Sequence, residues 1–447
     1  PAPPPPPLAR WRPRRWLADA LASMGRPALA AALLVAALLP PLAAAAECAV
    51  RAPPQLRQAS ALSFGMNDVL GTIINLSYAD PALVQSVRAL GVGALRHPGG
   101  AVANYWTMAN GSYVGADGTS AGGGCSNPPH WDFCKYQQRI AAHPPRAFSA
   151  ASFARGVGSE VAATVHDLNV FSMSTEQSIA ELEALAAAGV VVTHLELGNE
   201  IYITKKYGWR YPTAADYAAA CAPVVAAARR IFPNVRIAVV GDKGGGWNGN
   251  LSTQAALLRS VDAVTMHEYA PPPGTVALVP AESQRSFIVA SGEIVSAQMA
   301  AAAREYYPGK SLWRTEYNYP GAWVGALPEV YEPTGGTHAL FMAGHVLAAL
   351  QHERWEVPFE VLMMHALVHQ PSAGWTSSNS TLLIVGDAPN DVGAVQVGAV
   401  GQVYAHLTHA ALKQHGWLGT PTLSDGCPSS GLVAAGSKNF SCLQTAV

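Results

Sequence analysis

Between residues 61 and 412, strand-like and helix-like stretches alternate eight times. Strands that alternate with helices form a parallel sheet, covered by the helices that cross between them. The pattern predicts strands at 61–67, 93–97, 169–173, 192–200, 235–241, 263–269, 311–318 and 361–367. Helices are expected at 80–90, 147–167, 178–188, 213–232, 252–260, 287–307, 338–351 and 395–412. Eight such units suit a closed α/β architecture, the (β/α)8 TIM barrel, with the surplus over about 250 residues carried in loops. An open doubly wound sheet is the alternative. It is disfavoured because no Gly-rich dinucleotide turn follows the first strand.

Two of these strands end alike. Val192-Thr193-His194-Leu195-Glu196-Leu197 runs into Gly198-Asn199-Glu200, and Ser311-Leu312-Trp313-Arg314-Thr315 runs into Glu316-Tyr317-Asn318. An apolar run that surfaces in a carboxylic acid is how a barrel strand delivers a group to the pocket at its C-terminal face. Cleaving a glycosidic bond needs one carboxylic acid to protonate the leaving oxygen and a second carboxylate to attack or to activate water. A single glutamate is ordinarily a solvated surface charge; two that each close an apolar strand, the fourth and the seventh, make an opposed pair. Glu196 and Glu268 compete for the assignment, Glu196 from within its strand and Glu268 near the end of strand six. Neither has a second carboxylate in an equivalent position.

Leu95-Arg96-His97-Pro98-Gly99-Gly100, Glu196-Leu197-Gly198-Asn199-Glu200, Met266-His267-Glu268-Tyr269 and Trp313-Arg314-Thr315-Glu316-Tyr317-Asn318 follow in that order. Together they resemble the retaining glycoside hydrolases of clan A, the 4/7 superfamily, and most of all its arabinofuranosidase, xylosidase and heparanase-like branches. The resemblance spans roughly residues 61–412. It implies Glu200 as general acid/base, Glu316 as nucleophile, and Asn199 as the partner of the sugar 2-hydroxyl. It implies further that Arg96 keeps the nucleophile ionised, that Tyr269 donates to Glu316, and that His267 contacts sugar or Glu200. Trp106, Trp131, Trp209, Trp323 and Trp375 fall in predicted loops, where aromatic faces suit stacking on sugars; Trp375, just past strand eight, is the first choice. His365 and His369 have no partner pattern and read as core residues. No metal or organic cofactor is called for.

Composition narrows the partners. Only 13% of the 447 residues are charged and the net charge is −1. The body of the chain has no Lys/Arg run, which argues against nucleic acid and heavily sulfated polymers. A neutral oligo- or polysaccharide of wall or matrix remains the expected substrate. Residues 1–46 place five arginines before an Ala/Leu run and small residues, the make-up of a secretory signal peptide, or of a signal anchor if it is not cleaved. The barrel is expected over 47–412, and 413–447 reads as the start of a β domain or a disordered tail.

A secreted protein, extracellular and possibly of the cell wall, fits six cysteines, of which Cys125 with Cys134 are the expected disulfide and Cys427 with Cys442 a weaker pairing. It also fits glycoprotein sequons at Asn75, Asn110, Asn250, Asn379 and Asn439. An uncleaved N-terminus would instead anchor the protein in a secretory-pathway membrane. The rival function is a non-catalytic carbohydrate-binding or wall-structural barrel.

Overall fold

Eight parallel strands close into a barrel: β1 (Gly65–Asn67), β2 (Ala94–His97), β3 (Ala163–Leu168), β4 (His194–Leu197), β5 (Arg236–Val240), β6 (Ala263–Tyr269), β7 (Ser311–Asn318) and β8 (Phe359–Met364). Each pairs with its sequence neighbour, and β8 returns to β1 through Met363 opposite Gly65. The computed structural model describes residues 50–51, 57–58, 60–68, 77–114, 147–242, 244–269, 281–318, 336–350, 355–369, 383–385, 395–397, 399–409, 417–418 and 422–423.

Contacts divide the chain into Pro53–Thr420, which holds the barrel, and a smaller unit of Pro1–Ala52 with Pro421–Val447. In the smaller unit Val50–Arg51 pairs antiparallel with Thr422–Leu423. In the larger one Arg57–Gln58 pairs antiparallel with Trp417–Leu418. Among the described residues no helix is long and apolar enough to cross a membrane. The N-terminal segment 1–46 and the expected disulfides lie outside the described residues, whereas Cys221 is a buried free thiol. Of the sequons, Asn110 and Asn250 are described, and both are exposed.

The crossing helices are α1 (Pro81–Leu90), α2 (Ala150–Arg155), α3 (Thr175–Ala187), α4 (Ala214–Ile231), α5 (Gly245–Ser252), α6 (Ala281–Tyr306), α7 (Gly336–Ala349) and α8 (Ala399–Thr408). Their ends carry local signals. Asp80 caps α1 ahead of Pro81, Ser174 and Gln177 form a capping box on α3, and Thr213 with Asp216 form another on α4.

Several expectations shift. Residues 61–63 form a 3-10 turn ahead of β1 rather than strand, and in place of one helix at 252–260, α5 is followed by the short helix Ala255–Ser260. Residues 147–167 do not form one helix: α2 ends at Arg155, and β3 occupies Ala163–Leu168 where 169–173 was expected. The last helix is likewise shorter, because Val395–Val397 is a strand ahead of α8.

Side-chain alternation builds the interior in layers. Ala94, Val165, Ala238, Ala263, Trp313, Val361 and Met363 form an apolar cluster separate from the main core. Two residues further along their strands stand Arg96, Asp167 and Thr315, with Asn67 and Glu196 at the same level, all fully buried or nearly so. A polar layer therefore rests directly on an apolar floor. Strict alternation from Thr315 would turn Glu316 outward. The register irregularities between β6 and β7 at Thr265/His267, and between β7 and β8 from Arg314 to Tyr317, bring it back to the pocket.

Candidate active site

The polar layer is organised on Arg96. Its guanidinium has five N–H donors, and each finds an acceptor. Nε donates to Glu196 Oε2 at 2.6 Å; Nη1 donates to Asn67 Oδ1 at 2.8 Å and Glu316 Oε1 at 2.9 Å; Nη2 donates to Asp167 Oδ2 at 2.6 Å and Asn199 Oδ1 at 2.9 Å. Burial disfavours the cation, but Asp167, Glu196 and Glu316 together raise the guanidinium pKa. Asn67 spans the barrel as well, donating to the Thr315 carbonyl at 2.7 Å. It can do so because residue 99 is glycine: Gly99 has φ +64°, and a Cβ there would stand 2.4 Å from Asn67 Oδ1.

Glu316 is gripped from both sides. Oε1 accepts from Arg96 and Oε2 from the Tyr269 hydroxyl at 2.6 Å. Desolvation pushes its carboxyl up, but His267, His365, Arg96 and the Tyr269 hydrogen bond outweigh it and lower the pKa to about 2.

Glu200 sits just past β4, after Gly198 (φ +86°), and itself has φ +51°, the left-handed region that non-glycine residues seldom adopt. Its Oε1 accepts from the Tyr202 hydroxyl at 3.3 Å and lies 3.2 Å from His267 Nδ1. Its side chain keeps 20% of its surface exposed against 5% for Glu316, so Glu200 is the more open of the two. Burial lowers the His267 pKa, but Glu316 and Glu200 outweigh that and raise it overall. Oxygens of Glu200 and Glu316 and a ring nitrogen of His267 all lie within 4.8 Å of one another, a spacing that could also hold a metal ion.

Glu200, Glu316, Asn199, Arg96, His267 and Tyr269 thus come together. Trp375 lies outside the described residues, as do Trp131 and Trp323. Trp106 is buried and offers no face to a sugar, whereas Trp209 is 55% exposed. Glu268 is buried and its charge acts on Arg314, while Glu196 points into the barrel as alternation suggests.

Several participants were missed by sequence reasoning. Asp167 ends β3 but was hidden inside an expected helix. Asn67 ends β1 without a recognisable motif. Asn104 brackets the backbone of Asn199, donating to its carbonyl at 2.7 Å and accepting from its N–H at 2.9 Å. His365 is buried, as a core residue is, but it also borders the site: its ring meets Tyr269 edge-on at 6.3 Å, near enough to Glu316 to help lower its pKa. Lys206, on the short helix Thr204–Tyr207, is close enough for both glutamates to raise its pKa, although desolvation wins and lowers it.

No protein-family model matches the chain, and no curated protein matches it. Solved structures do resemble it. A family 51 α-L-arabinofuranosidase from Bifidobacterium longum shares 16% identity at a TM-score of 0.59, over 84% of this chain and 78% of that one. An α-L-arabinofuranosidase from Thermotoga maritima, in an arabinose complex, shares 13% at 0.56 over 81% and 72%. A GH51 arabinofuranosidase from Xanthomonas axonopodis pv. citri shares 14% at 0.53 over 84% and 78%. Identities this low speak for a shared fold, the (β/α)8 barrel found among glycosidases.

Proposed function

We propose that this chain is a glycoside hydrolase that cleaves O-glycosidic bonds of wall or matrix glycans by a two-step retaining mechanism. The observation that carries this reading is that Glu200, just past β4, and Glu316, near the end of β7, each bring one carboxylate oxygen within 4.8 Å of the other. Retaining enzymes hold their two carboxyl groups about 5–5.5 Å apart, whereas inverting ones need roughly 6.5–9.5 Å to admit a water.

The environments divide the labour. Glu316, kept ionised by Arg96 and Tyr269, attacks the anomeric carbon. Glu200, more open and contacted by Tyr202 and His267 rather than by Arg96, gives its proton to the departing oxygen. The glycosyl ester on Glu316 is then released by a water that Glu200 deprotonates. Asn199 suits a sugar hydroxyl. Arg96 pins its Oδ1 and leaves the buried Nδ2 donor, for which no hydrogen-bond partner is found among the described residues. A donor left unpaired in this way favours a ligand that supplies an acceptor. The basic and apolar residues 1–46 support export, which N-terminal sequencing of the mature protein would check.

The reading is tested on aryl arabinosides, xylosides, glucuronides and glucosides, with the first-formed anomer followed by proton NMR. Hydrolysis of at least one series with retained configuration is expected. Inversion, or inertness across the whole panel, would remove the proposal.

A pH dependence follows from the grip on Glu316. The acid limb of kcat/KM reports protonation of the free nucleophile, so it should fall near pH 2 rather than at the ordinary 4.5. Tyr269→Phe deletes a hydrogen bond to the charged form, which raises the carboxyl pKa and moves that limb to higher pH. A limb that stays put in Tyr269→Phe would show that the hydroxyl does not hold the anion.

A further inference from the structure

A chain of hydrogen bonds runs from the polar layer to the pocket. Glu196 is fully buried, and while its Oε2 is held by Arg96, its Oε1 accepts from the Thr315 hydroxyl at 3.0 Å. Thr315 Oγ1 lies 2.9 Å from His267 Nε2, and His267 Nδ1 lies 3.2 Å from Glu200 Oε1. Counting donors assigns the hydrogens. A threonine hydroxyl has a single hydrogen, and here it goes to the carboxylate that partners Arg96. Toward His267, Thr315 can therefore only accept, so Nε2 carries a hydrogen in every protonation state of the ring. Nδ1 is left as the nitrogen that gains and loses a proton. It faces the gap between the two acids, 3.2 Å from Glu200 and 3.7 Å from Glu316.

We propose that Thr315, oriented by Glu196, is a positioning residue for Glu200: it confines the permanent hydrogen of His267 to Nε2 and so directs Nδ1 at the acid/base carboxyl. This rests on the reading of Glu200 as the general acid. With a hydrogen on Nδ1, the ring donates to Glu200 Oε1, the oxygen that also accepts from Tyr202. The departing glycosidic oxygen is then met by Oε2, the oxygen that carries the transferable proton. Without the Thr315 hydroxyl, the single hydrogen of a neutral ring is no longer held on Nε2. The doubly protonated ring, which donates to Glu200 through Nδ1 while Thr315 accepts from Nε2, also loses that hydrogen bond and is less populated. Proton delivery suffers, while Glu316, held by Arg96 and Tyr269, keeps its attack.

The test pairs a spectroscopic and a kinetic reading on the whole chain with 15N-labelled histidine, His267 being assigned by its absence in His267→Asn. In the wild type and in Thr315→Ser, the nitrogen shifts should show neutral His267 with its hydrogen on Nε2 alone; in Thr315→Val they should show a mixture. For an unactivated phenyl glycoside, kcat/KM should fall about tenfold or more in Thr315→Val, part of the 10²–10⁴ that general acid catalysis typically contributes. For a dinitrophenyl glycoside, whose leaving group needs little protonation, it should be nearly unchanged. Thr315→Ser should recover both values. A hydrogen on Nδ1 alone in the neutral wild type, or equal losses with both aglycones, would overturn the proposal. A wild type inert to every glycoside would overturn its premise, Glu200 as the acid, while the nitrogen shifts would still decide where the hydrogen lies.

Discussion

On the proposed mechanism, Glu316→Ala is expected to lower kcat by roughly 10⁴-fold or more on any glycoside the wild type cleaves, because covalent catalysis has no substitute once its nucleophile is gone. The loss should not depend on the aglycone, since bond formation at the anomeric carbon is needed however good the leaving group. Glu200→Ala should behave differently. Its deficit should be large with a poor leaving group and should shrink with an activated one, because only protonation of the departing oxygen is lost from the first step.

Stability gives an independent reading of the Glu316 variant. Three carboxylates crowd one guanidinium, and the charges of Glu196 and Glu316 both help to raise the pKa of Asp167, with burial the larger cause. Deleting one of the three relieves that repulsion. Against that relief stands the grip that lowers the Glu316 pKa to about 2, which stabilises the folded protein at neutral pH. Glu316→Ala should therefore stay folded, with a midpoint only modestly below that of the wild type. A variant that retains most of its turnover would sink the nucleophile assignment, and one that is inactive only because it is unfolded would show no cooperative thermal transition.

What could be read from the sequence followed the strength of the local signal. Strands β6 and β7 were expected at the residues where they lie, because each opens on an apolar stretch holding β-branched or aromatic residues and closes on polar ones. The same runs carry His267, Tyr269 and Glu316, so most of the site was legible with them. Strand β3 was not legible. Its lead-in is rich in alanine, which favours helix, and burial against β2 and β4 overrides that preference. Asp167 was lost with it, since a residue placed in a helix is not sought at the mouth of a barrel. His365 was read as core because no spacing ties it to Tyr269 or Glu316; their proximity comes from closure of β8 beside β7. The link from Glu196 through Thr315 to His267 is of the same kind. It depends on where β4, β6 and β7 stand around the barrel, which no single stretch of chain encodes.

Arg96→Met tests whether the polar layer is as tightly coupled as its geometry suggests. The change removes the cation and all five donors at once, leaving Asp167, Glu196 and Glu316 with side chains 0%, 0% and 5% exposed. Breaking a buried pair by deleting one partner typically costs about 3–5 kcal/mol, and urea denaturation at neutral pH should show a loss of that order.

The sign of the pH dependence separates charge from packing. Without Arg96 the buried acids are stabilised in their neutral forms, so their folded-state pKa values lie above the unfolded ones. Groups of that kind contribute stability that is fully present below the unfolded pKa and is lost as pH rises through the folded one. The gap between variant and wild type should accordingly narrow on acidification from neutral pH toward about 4, the range of unperturbed carboxylates. A gap that is constant with pH would mean that lost packing, not lost charge, accounts for it.

Arg96→Lys should restore part of the stability. It should not restore activity, because three ammonium hydrogens on a flexible stem cannot reproduce five bonds held in one plane. Lysine that supports full turnover would mean that Glu316 needs only a nearby positive charge, and that the directed contacts to Asn67 and Asn199 are dispensable.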